Sequence, residues 1–242
     1  SSAQAASDFN LINKASAGMA QVSYIKADYS TAWQTIKNVY AKDNKTFQAQ
    51  YAEYGYAYAK QLIDKGSIKD GMEVYSKVEK LSKSANLSES VYNQAVKLGE
   101  AGKIQESLNL LNQIKGNYAK AKTLYDSMNS FHKKVSLWLG TWKHRGTVNG
   151  EKTTYYITFS EVLYKGEPCI KIKDMNNKSL GYDVEISSKN HITQIEVGKY
   201  MIHFKLKNNH NQKLTYTLLE GKKMLRELKY EGVTYKTKYK KK

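Results

Sequence analysis

The spacing of apolar residues changes once along the chain, between Trp138 and Trp142. Before that point apolar residues recur every three or four positions, which is typical of amphipathic helices. After it they alternate with polar residues, which is typical of strands that bury one face. The sequence therefore predicts an α+β chain with two domains. We place a linker at residues 1–8, an all-α domain at 9–136 and an antiparallel β domain at 137–242.

The helical half contains a short pattern that occurs twice. Ala-x-x-Leu-x-x-x-Gly-x-Ile is found at residues 59–68 and again at 95–104. Glycine accepts a positive φ, so Gly66 and Gly102 are each expected to end one helix before the next begins. Apolar periodicity and turn residues together predict helices at about 8–24, 29–42, 45–64, 68–83, 88–100, 104–114 and 117–136.

A second signature opens four of these helices. It runs over 28–36, 66–75, 102–111 and 116–125, with a small residue in the middle each time: Ala32, Gly71, Ser107 and Ala121. A small residue lets two helices approach closely. The signature resembles the G-x-Y-x-x-A-x-x-x-Y stretch of the tetratricopeptide (TPR) repeat, over about residues 10–135, although the closing Pro of that family is absent. The resemblance implies helical hairpins with a groove that binds an extended peptide.

Tyrosines mark one face of the third predicted helix. Tyr51, Tyr54 and Tyr58 are separated by three and four positions and so lie on the same side. Two interpretations are open. The rings form the packing between hairpins, or they form an aromatic strip that contacts a protein or peptide partner, and these three residues are our candidates for that role.

The second half is predicted to be a meander of eight or nine short antiparallel strands. Turn residues separate the alternating runs, among them Asn149-Gly150, Gly166, Gly221 and Gly232. Regular short strands joined by tight turns favour a sheet that curls into a small barrel or half-barrel.

The start of the first strand carries a further resemblance. Gly140-Thr141-Trp142 is similar to the G-x-W motif of lipocalin-like barrels. In those barrels the Trp closes one end and a late Arg lies across it, which makes Gly140, Trp142 and Arg226 the candidate barrel-closing residues. The resemblance implies a cavity for a small apolar ligand. A small barrel can equally be filled by its own side chains, and both alternatives are open.

The chain is strongly basic, with a formal net charge of +17 and a pI of about 9.6. Of its 39 basic residues only Arg145 and Arg226 are arginines. A nucleic-acid surface usually uses Arg, which binds phosphate and guanine through two hydrogen bonds, so this composition argues against a nucleic-acid partner. The positive excess is larger in residues 138–242 than in 1–137. We expect an anionic cell-envelope polymer to contact the basic end of the last strand, at Lys236, Lys238, Lys240 and Lys241.

Sequence motifs for catalysis are absent. The five histidines show no metal-ligand spacing, and the single cysteine, Cys169, excludes an internal disulfide. No G-x-S-x-G, P-loop or dinucleotide fingerprint occurs. We therefore expect a non-enzymatic protein with no cofactor and no metal.

The compartment is suggested by composition and by the first residues. No apolar run is long enough to span a membrane. Ser1 and the small residues after it predict that an upstream segment was removed, whether a signal peptide, a lipid-bearing Cys, a membrane anchor or a cloning truncation. Few Cys and many Lys, Asn, Ile and Tyr favour an exported or surface-anchored protein of a Gram-positive bacterium. The sequence thus predicts a surface-associated interaction protein, and as an alternative a carrier of small apolar ligands.

Overall fold

The computed structural model describes residues 2–81, 86–148, 150–175, 183–186, 192–197, 201–206 and 213–242. This part of the chain holds seven helices: α1 (Ser2–Ile25), α2 (Tyr29–Tyr40), α3 (Gln48–Asp64), α4 (Ile68–Val78), α5 (Ser88–Glu100), α6 (Ile104–Ile114) and α7 (Ala119–Val135). Nine strands follow: β1 (Gly140–Val148), β2 (Glu151–Tyr164), β3 (Glu167–Met175), β4 (Asp183–Ile186), β5 (Ile192–Val197), β6 (Met201–Leu206), β7 (Lys213–Leu219), β8 (Lys223–Tyr230) and β9 (Val233–Lys241). The α+β prediction is confirmed.

The chain divides into two compact units, Ser1–Gln94 and Ala95–Lys242. The boundary falls inside α5, and the change from helix to strand comes later, between Val135 and Gly140. The end of α5 belongs to the second unit because Gly99 lies against the Leu163 side chain of β2. At the other end of the chain, α1 begins at Ser2 and so includes residues 2–8, which the sequence assigns to a linker.

The two predicted glycine turns end their helices in the same way. Gly66 follows α3 with a φ of 90°, and Gly102 follows α5 with a φ of 79°. After α3, the Gly66 N–H donates to the Ile63 carbonyl and the Ser67 N–H to the Leu62 carbonyl, each at 2.9 Å. The equivalent bonds after α5 are 3.0 and 2.8 Å. This is the Schellman arrangement, which satisfies the last carbonyls of a helix.

The small residues of the repeated signature are buried, as close helix packing requires. Ala32, Ser107 and Ala121 are fully buried. A Cβ added to Gly71 of α4 would lie 2.6 Å from Ile63 Cγ1 and 2.8 Å from the Ala59 carbonyl oxygen of α3. Because a backbone atom cannot move aside, α3 and α4 can approach this closely only with glycine at that position.

The strands form one antiparallel sheet with the order β4-β3-β2-β1-β9-β8-β7-β6-β5. The first and last strands pair, with Trp142 opposite Lys241 and Lys143 opposite Lys240, so the sheet curls into a half-barrel. Its tight turns follow the glycine signals. The loop Lys165-Gly166 has φ values of 51° and 80°, which give the twist that a two-residue hairpin needs. Polar and glycine residues in the sequence also predict turns near 177, 188, 198 and 209, and these positions lie outside the described residues.

The inner face of the half-barrel and the end of α7 share one hydrophobic core. Trp138 and Trp142 are 0% and 1% exposed, and the Trp142 Nε1–H donates to the Trp138 carbonyl oxygen at 2.9 Å. The core is completed by Val135, Ile157, Phe159, Ile170, Ile172, Tyr216, Met224 and Tyr239. Every second residue of these strands therefore faces the core, as the alternation in the sequence predicts.

None of the described helices combines the length and the apolar character that crossing a membrane would require.

Candidate functional site

Cations gather on the outer face of three neighbouring strands, β8, β9 and β1. We call this group the outer basic face, and its members are Lys143, Arg145, Lys223, Lys229, Lys236, Lys238 and Lys240. Lys240 is opposite Lys143 on one side and Lys223 on the other, so like charges face each other across the strands. Such pairs repel, and an added polyanion would relieve that repulsion.

One carboxylate interrupts the outer basic face. Glu227 of β8 is opposite Lys236, and Lys236 Nζ lies 3.1 Å from Glu227 Oε1. The Lys236 side chain is 63% exposed, so this ion pair is well solvated. An exposed pair of this kind contributes at most about 1 kcal/mol. Lys236 can therefore leave Glu227 for another anion at little cost.

Lys241 is separated from the other three candidate lysines of β9. Because side chains alternate along a strand, the Lys241 side chain lies on the inner side of the sheet. Its Nζ donates to the Leu137 carbonyl oxygen at 3.0 Å and lies 5.4 Å from the centroid of the Trp142 ring. Burial, and then repulsion by Lys222, lower the pKa of Lys241. Lys236, Lys238 and Lys240 thus form one surface, and Lys241 belongs to the rim of the core.

The candidate barrel-closing residues occupy two places on the inner side. Gly140 has a φ of 109°, and a Cβ there would lie 3.6 Å from Lys241 Cε. Gly140 and Trp142 therefore meet Lys241 at one end of the sheet. Arg226 lies further along β8, opposite Tyr216 and Thr237. The ammonium group that lies over the Trp142 ring belongs to Lys241.

An apolar cavity of about 420 Å³ opens beside Trp142. Its lining consists of Leu137, Trp142, Leu218, Leu219, Glu220, Lys222 and Lys241. The walls of this cavity are mostly apolar, and Lys222 and Lys241 add positive charge to its lining. Such a cavity suits an amphiphilic molecule that carries an acidic head group.

The tyrosines of α3 act as packing residues in the first unit. Tyr51 and Tyr54 are 8% and 3% exposed, and burial raises the pKa of both phenols. Tyr51 stacks on Tyr40 with ring centroids 4.0 Å apart, and Tyr54 stacks on Tyr24 at 4.5 Å. These two rings offer little surface to a partner, whereas Tyr58 is half-buried and keeps some exposure. The first of the two interpretations, packing between helices, describes Tyr51 and Tyr54 in this structure.

The second unit contains an acid and base pair that sequence reasoning missed, in which the acid is buried and the base is partly exposed. His132 Nδ1 of α7 lies 2.8 Å from Glu161 Oε2 of β2, and the Glu161 side chain is 3% exposed. Burial raises the pKa of Glu161, and the hydrogen bond and charge of His132 lower it by less. The pair borders a groove of about 390 Å³ at the start of α6. His132 and Glu161 are 29 positions apart in the sequence, so no local spacing could reveal the pair.

Among the described residues no group of three or more His, Cys, Asp or Glu is arranged to hold a metal ion. His191 and His210 lie outside the described residues. Comparison with known proteins gives no family model, no curated protein and no solved structure that matches this chain. Function must therefore be argued from the surfaces and cavities themselves.

The buried carboxyl of Glu161 predicts a dependence of stability on pH. A carboxyl whose pKa is raised by folding stabilises the protein at acid pH, and that contribution is lost as the pH rises through its folded pKa. We expect Glu161→Gln to flatten the fall in unfolding free energy that accompanies a rise in pH above about 4.5, the ordinary pKa of a Glu carboxyl, as measured by urea denaturation. The exposed Glu167→Gln, on the next strand, should retain the wild-type profile. If Glu161→Gln and wild type gave parallel profiles of unfolding free energy against pH, the raised pKa of the Glu161 carboxyl would be contradicted.

Proposed function

We propose that this chain is a non-enzymatic, exported, surface-associated interaction protein whose β-sheet contacts an anionic polymer of the cell envelope. The outer basic face is the observation that carries the proposal. Alternate residues of a strand are about 7 Å apart and neighbouring strands about 5 Å apart. Both distances are shorter than the Debye length of about 8 Å at physiological salt, so these cations act on a polymer together.

The use of lysine points to charge attraction as the basis of binding. The ammonium group of Lys is a compact charge without the fixed fork of Arg, and it suits contact with a flexible polyanion whose charges are not fixed in one geometry. A flexible chain of phosphates also releases bound counterions when lysines neutralise it, which is the main source of affinity for such partners. The polymer would lie on the outer basic face, and the inner face of the half-barrel would stay unoccupied by it.

The helical part is proposed to bind a protein or peptide, as the TPR-like signature implies. Tyr51 and Tyr54 are packing residues and do not support this binding. The exposed surface of α1 supports it instead. Its exposed apolar side chains are Phe9, Leu11, Ile12, Met19, Val22 and Ile25. The fractions exposed reach 71% at Leu11 and 75% at Ile25. Large apolar side chains grouped on one helix are typical of a surface that meets another apolar surface.

A second candidate function is the transport of a small apolar ligand, as the lipocalin-like Gly140-x-Trp142 motif implies. The cavity beside Trp142 is the observation that favours it. A straight-chain fatty acid should then change Trp fluorescence in a saturable way, and Leu219→Asp, at the cavity wall, should abolish the change. Val233→Asp, which alters an exposed apolar residue elsewhere on the sheet, should have no effect. The absence of any saturable change in the wild-type protein would refute ligand carriage.

The polymer proposal predicts how charge-removing variants bind. The triple variant Lys236→Gln/Lys238→Gln/Lys240→Gln should bind poly(glycerol phosphate) about 10- to 100-fold more weakly at low salt. The slope of log affinity against log salt should decrease by about 2 to 3, since each phosphate contact contributes slightly less than 1. Both quantities can be measured by fluorescence anisotropy over a range of NaCl concentrations.

The matched control removes the same charge from exposed lysines of the first unit, as Lys14→Gln/Lys45→Gln/Lys69→Gln. This variant should bind almost as wild type does. Equal losses in the two variants would contradict the outer basic face as the binding surface. A clear preference for single-stranded DNA over poly(glycerol phosphate) would favour a nucleic-acid partner instead.

A further inference from the structure

The apolar cavity beside Trp142 holds two positive charges. Its volume is about 420 Å³, and its charged lining residues are Lys222, Lys241 and Glu220. Small-molecule sites have volumes of about 300 to 1,000 Å³ and combine apolar walls with a few polar groups that select the ligand. The cavity is therefore large enough for a small molecule, and these three side chains decide which head group it accepts.

The two lysines are neighbours across the end of the sheet. The Lys241 backbone N–H donates to the Lys222 carbonyl oxygen at 2.9 Å. Burial, and then the positive charge of Lys222, lower the pKa of Lys241. In the described part of the chain, neither ammonium group forms an ion pair with a carboxylate. Two like charges thus meet beside an apolar space, and an anion bound between them would remove their repulsion.

Lys241 keeps hydrogen-bond donors for such an anion. Its ammonium group carries three N–H donors, and one of them donates to the Leu137 carbonyl oxygen at 3.0 Å. That bond and the Trp142 ring, whose centroid is 5.4 Å from Nζ, hold the charge at the cavity. Two N–H groups remain for the oxygens of a ligand. Because the ammonium group is positioned before any ligand arrives, binding costs less entropy.

Glu220 belongs to the same lining but neutralises neither lysine. The Glu220 and Lys222 side chains are exposed, whereas Lys241 is half-buried. Salt and water screen exposed charges more than partly buried ones. Two lysines face one carboxylate, so the lining has a formal charge of +1, and the half-buried ammonium group is the charge that a bound ligand meets with least screening.

The apolar walls extend from a buried ring to exposed side chains. The Trp142 side chain is 1% exposed, whereas Leu137 and Leu219 are 45% and 39% exposed. These three residues line the cavity together with Leu218. An apolar ligand that covers the exposed leucines removes apolar surface from water, which is favourable. An alkyl chain therefore suits the walls of the cavity.

From these observations we infer that the cavity binds single-chain amphiphiles whose head group is an anion, either a carboxylate or a phosphate monoester. Lys241 and Lys222 contact the head group, and the alkyl chain lies against Trp142 and the leucines. The ammonium group of Lys has no fixed fork, so it accepts either oxyanion. Binding of this kind rests on the proposed carriage of a small apolar ligand, and it gives that ligand a charged head group.

The first experiment is a calorimetric titration of the full chain with compounds that share one alkyl chain and differ in the head group. Decanoate, decyl phosphate, decanol and decyltrimethylammonium are compared below their critical micelle concentrations. We expect at least one of the two anions to bind about tenfold more tightly than decanol, as a charge-assisted hydrogen bond predicts. The cationic compound should bind more weakly than decanol. The tighter anion identifies the head group as carboxylate or phosphate.

This comparison separates the head group from the alkyl chain. Equal affinities for decanol and for both anions would overturn the inference and leave the carriage of an apolar ligand intact. If none of the four compounds bound in a saturable way, both would be refuted.

The length of the chain gives an independent criterion. From octanoate to nonanoate to decanoate, each added CH₂ should strengthen binding about fourfold, because it is buried against the apolar walls. An affinity that did not change with chain length would show that the lysines attract the anion without the cavity, and it would overturn the inference.

A charge-removing variant and a matched control localise the head group. Lys241→Gln should weaken the binding of the preferred anion about 10- to 100-fold and leave the affinity for decanol unchanged. Lys152→Gln removes the same charge from an exposed position of β2, outside both this cavity and the outer basic face, and should bind as wild type does. Equal losses in the two variants would indicate general charge attraction and would overturn the site.

Two further variants keep the test valid if Lys241→Gln does not fold, since both alter exposed side chains. Lys222→Gln should weaken the binding of the anion about two- to fivefold, and Glu220→Gln should strengthen it by a similar factor. The affinity for decanol should stay the same in both. Changes of the same sign in the two variants, or no change in either, would contradict a head group placed between these charges.

Discussion

The second unit depends on the contact between Trp138 and Trp142. These two indoles are almost completely buried, and the hydrogen bond from Trp142 Nε1–H to the Trp138 carbonyl oxygen closes the turn between α7 and β1. The Trp138 N–H donates in turn to the Val135 carbonyl at 2.8 Å, at the end of the helix. A buried polar group without a partner would cost about 1 to 3 kcal/mol, so both bonds favour this one geometry. As a result the end of α7 lies on the inner face of the sheet, and β1 begins where the helix ends.

This arrangement gives the two faces of the sheet different chemistry. Near the Trp pair the inner face is filled by the core, and further along the strands it opens into a polar cavity whose lining includes His144, Tyr155 and Arg226. The outer face retains the exposed cations of β8, β9 and β1. The strand β9 shows the division most clearly, because Lys236, Lys238 and Lys240 face outward while Thr237 and Tyr239 line the inner side. One sheet thus has a lysine-rich outer face and an inner face of a different chemical character.

The local features of the fold could be predicted from the sequence. Gly66 and Gly102 indicate helix ends because only a positive φ allows the Schellman bonds that follow. The alternation in β9 indicates which lysines share a face, because side chains of a strand alternate in direction. The repeated small residues indicate close helix packing, and Gly71 confirms it. Each of these signals acts over a few residues, where backbone geometry alone decides the outcome.

Features that depend on distant residues could not be predicted. The pairing of β1 with β9 unites the two ends of the β region, and it places Arg226 beside His144 in one cavity. The contact of His132 with Glu161 depends on how α7 lies on the sheet. The tyrosines of α3 have a helical period that suits either a binding strip or a core. The ring contacts with Tyr24 and Tyr40, which belong to other helices, are what make Tyr51 and Tyr54 packing residues.

The Trp142 hydrogen bond holds the junction of α7 and β1 in place. The most direct test is hydrogen exchange of Trp142→Phe, which keeps an aromatic ring but removes the donor, measured by mass spectrometry on peptides from β1 to β3. The free energy of opening should fall by about 2 to 4 kcal/mol, from the unpartnered carbonyl and the smaller ring together. Peptides from α2 to α4, in the other compact unit, provide the internal reference and should exchange as in the wild type. Protection of β1 to β3 that stays within about 0.5 kcal/mol of wild type would show that this hydrogen bond does not hold the junction.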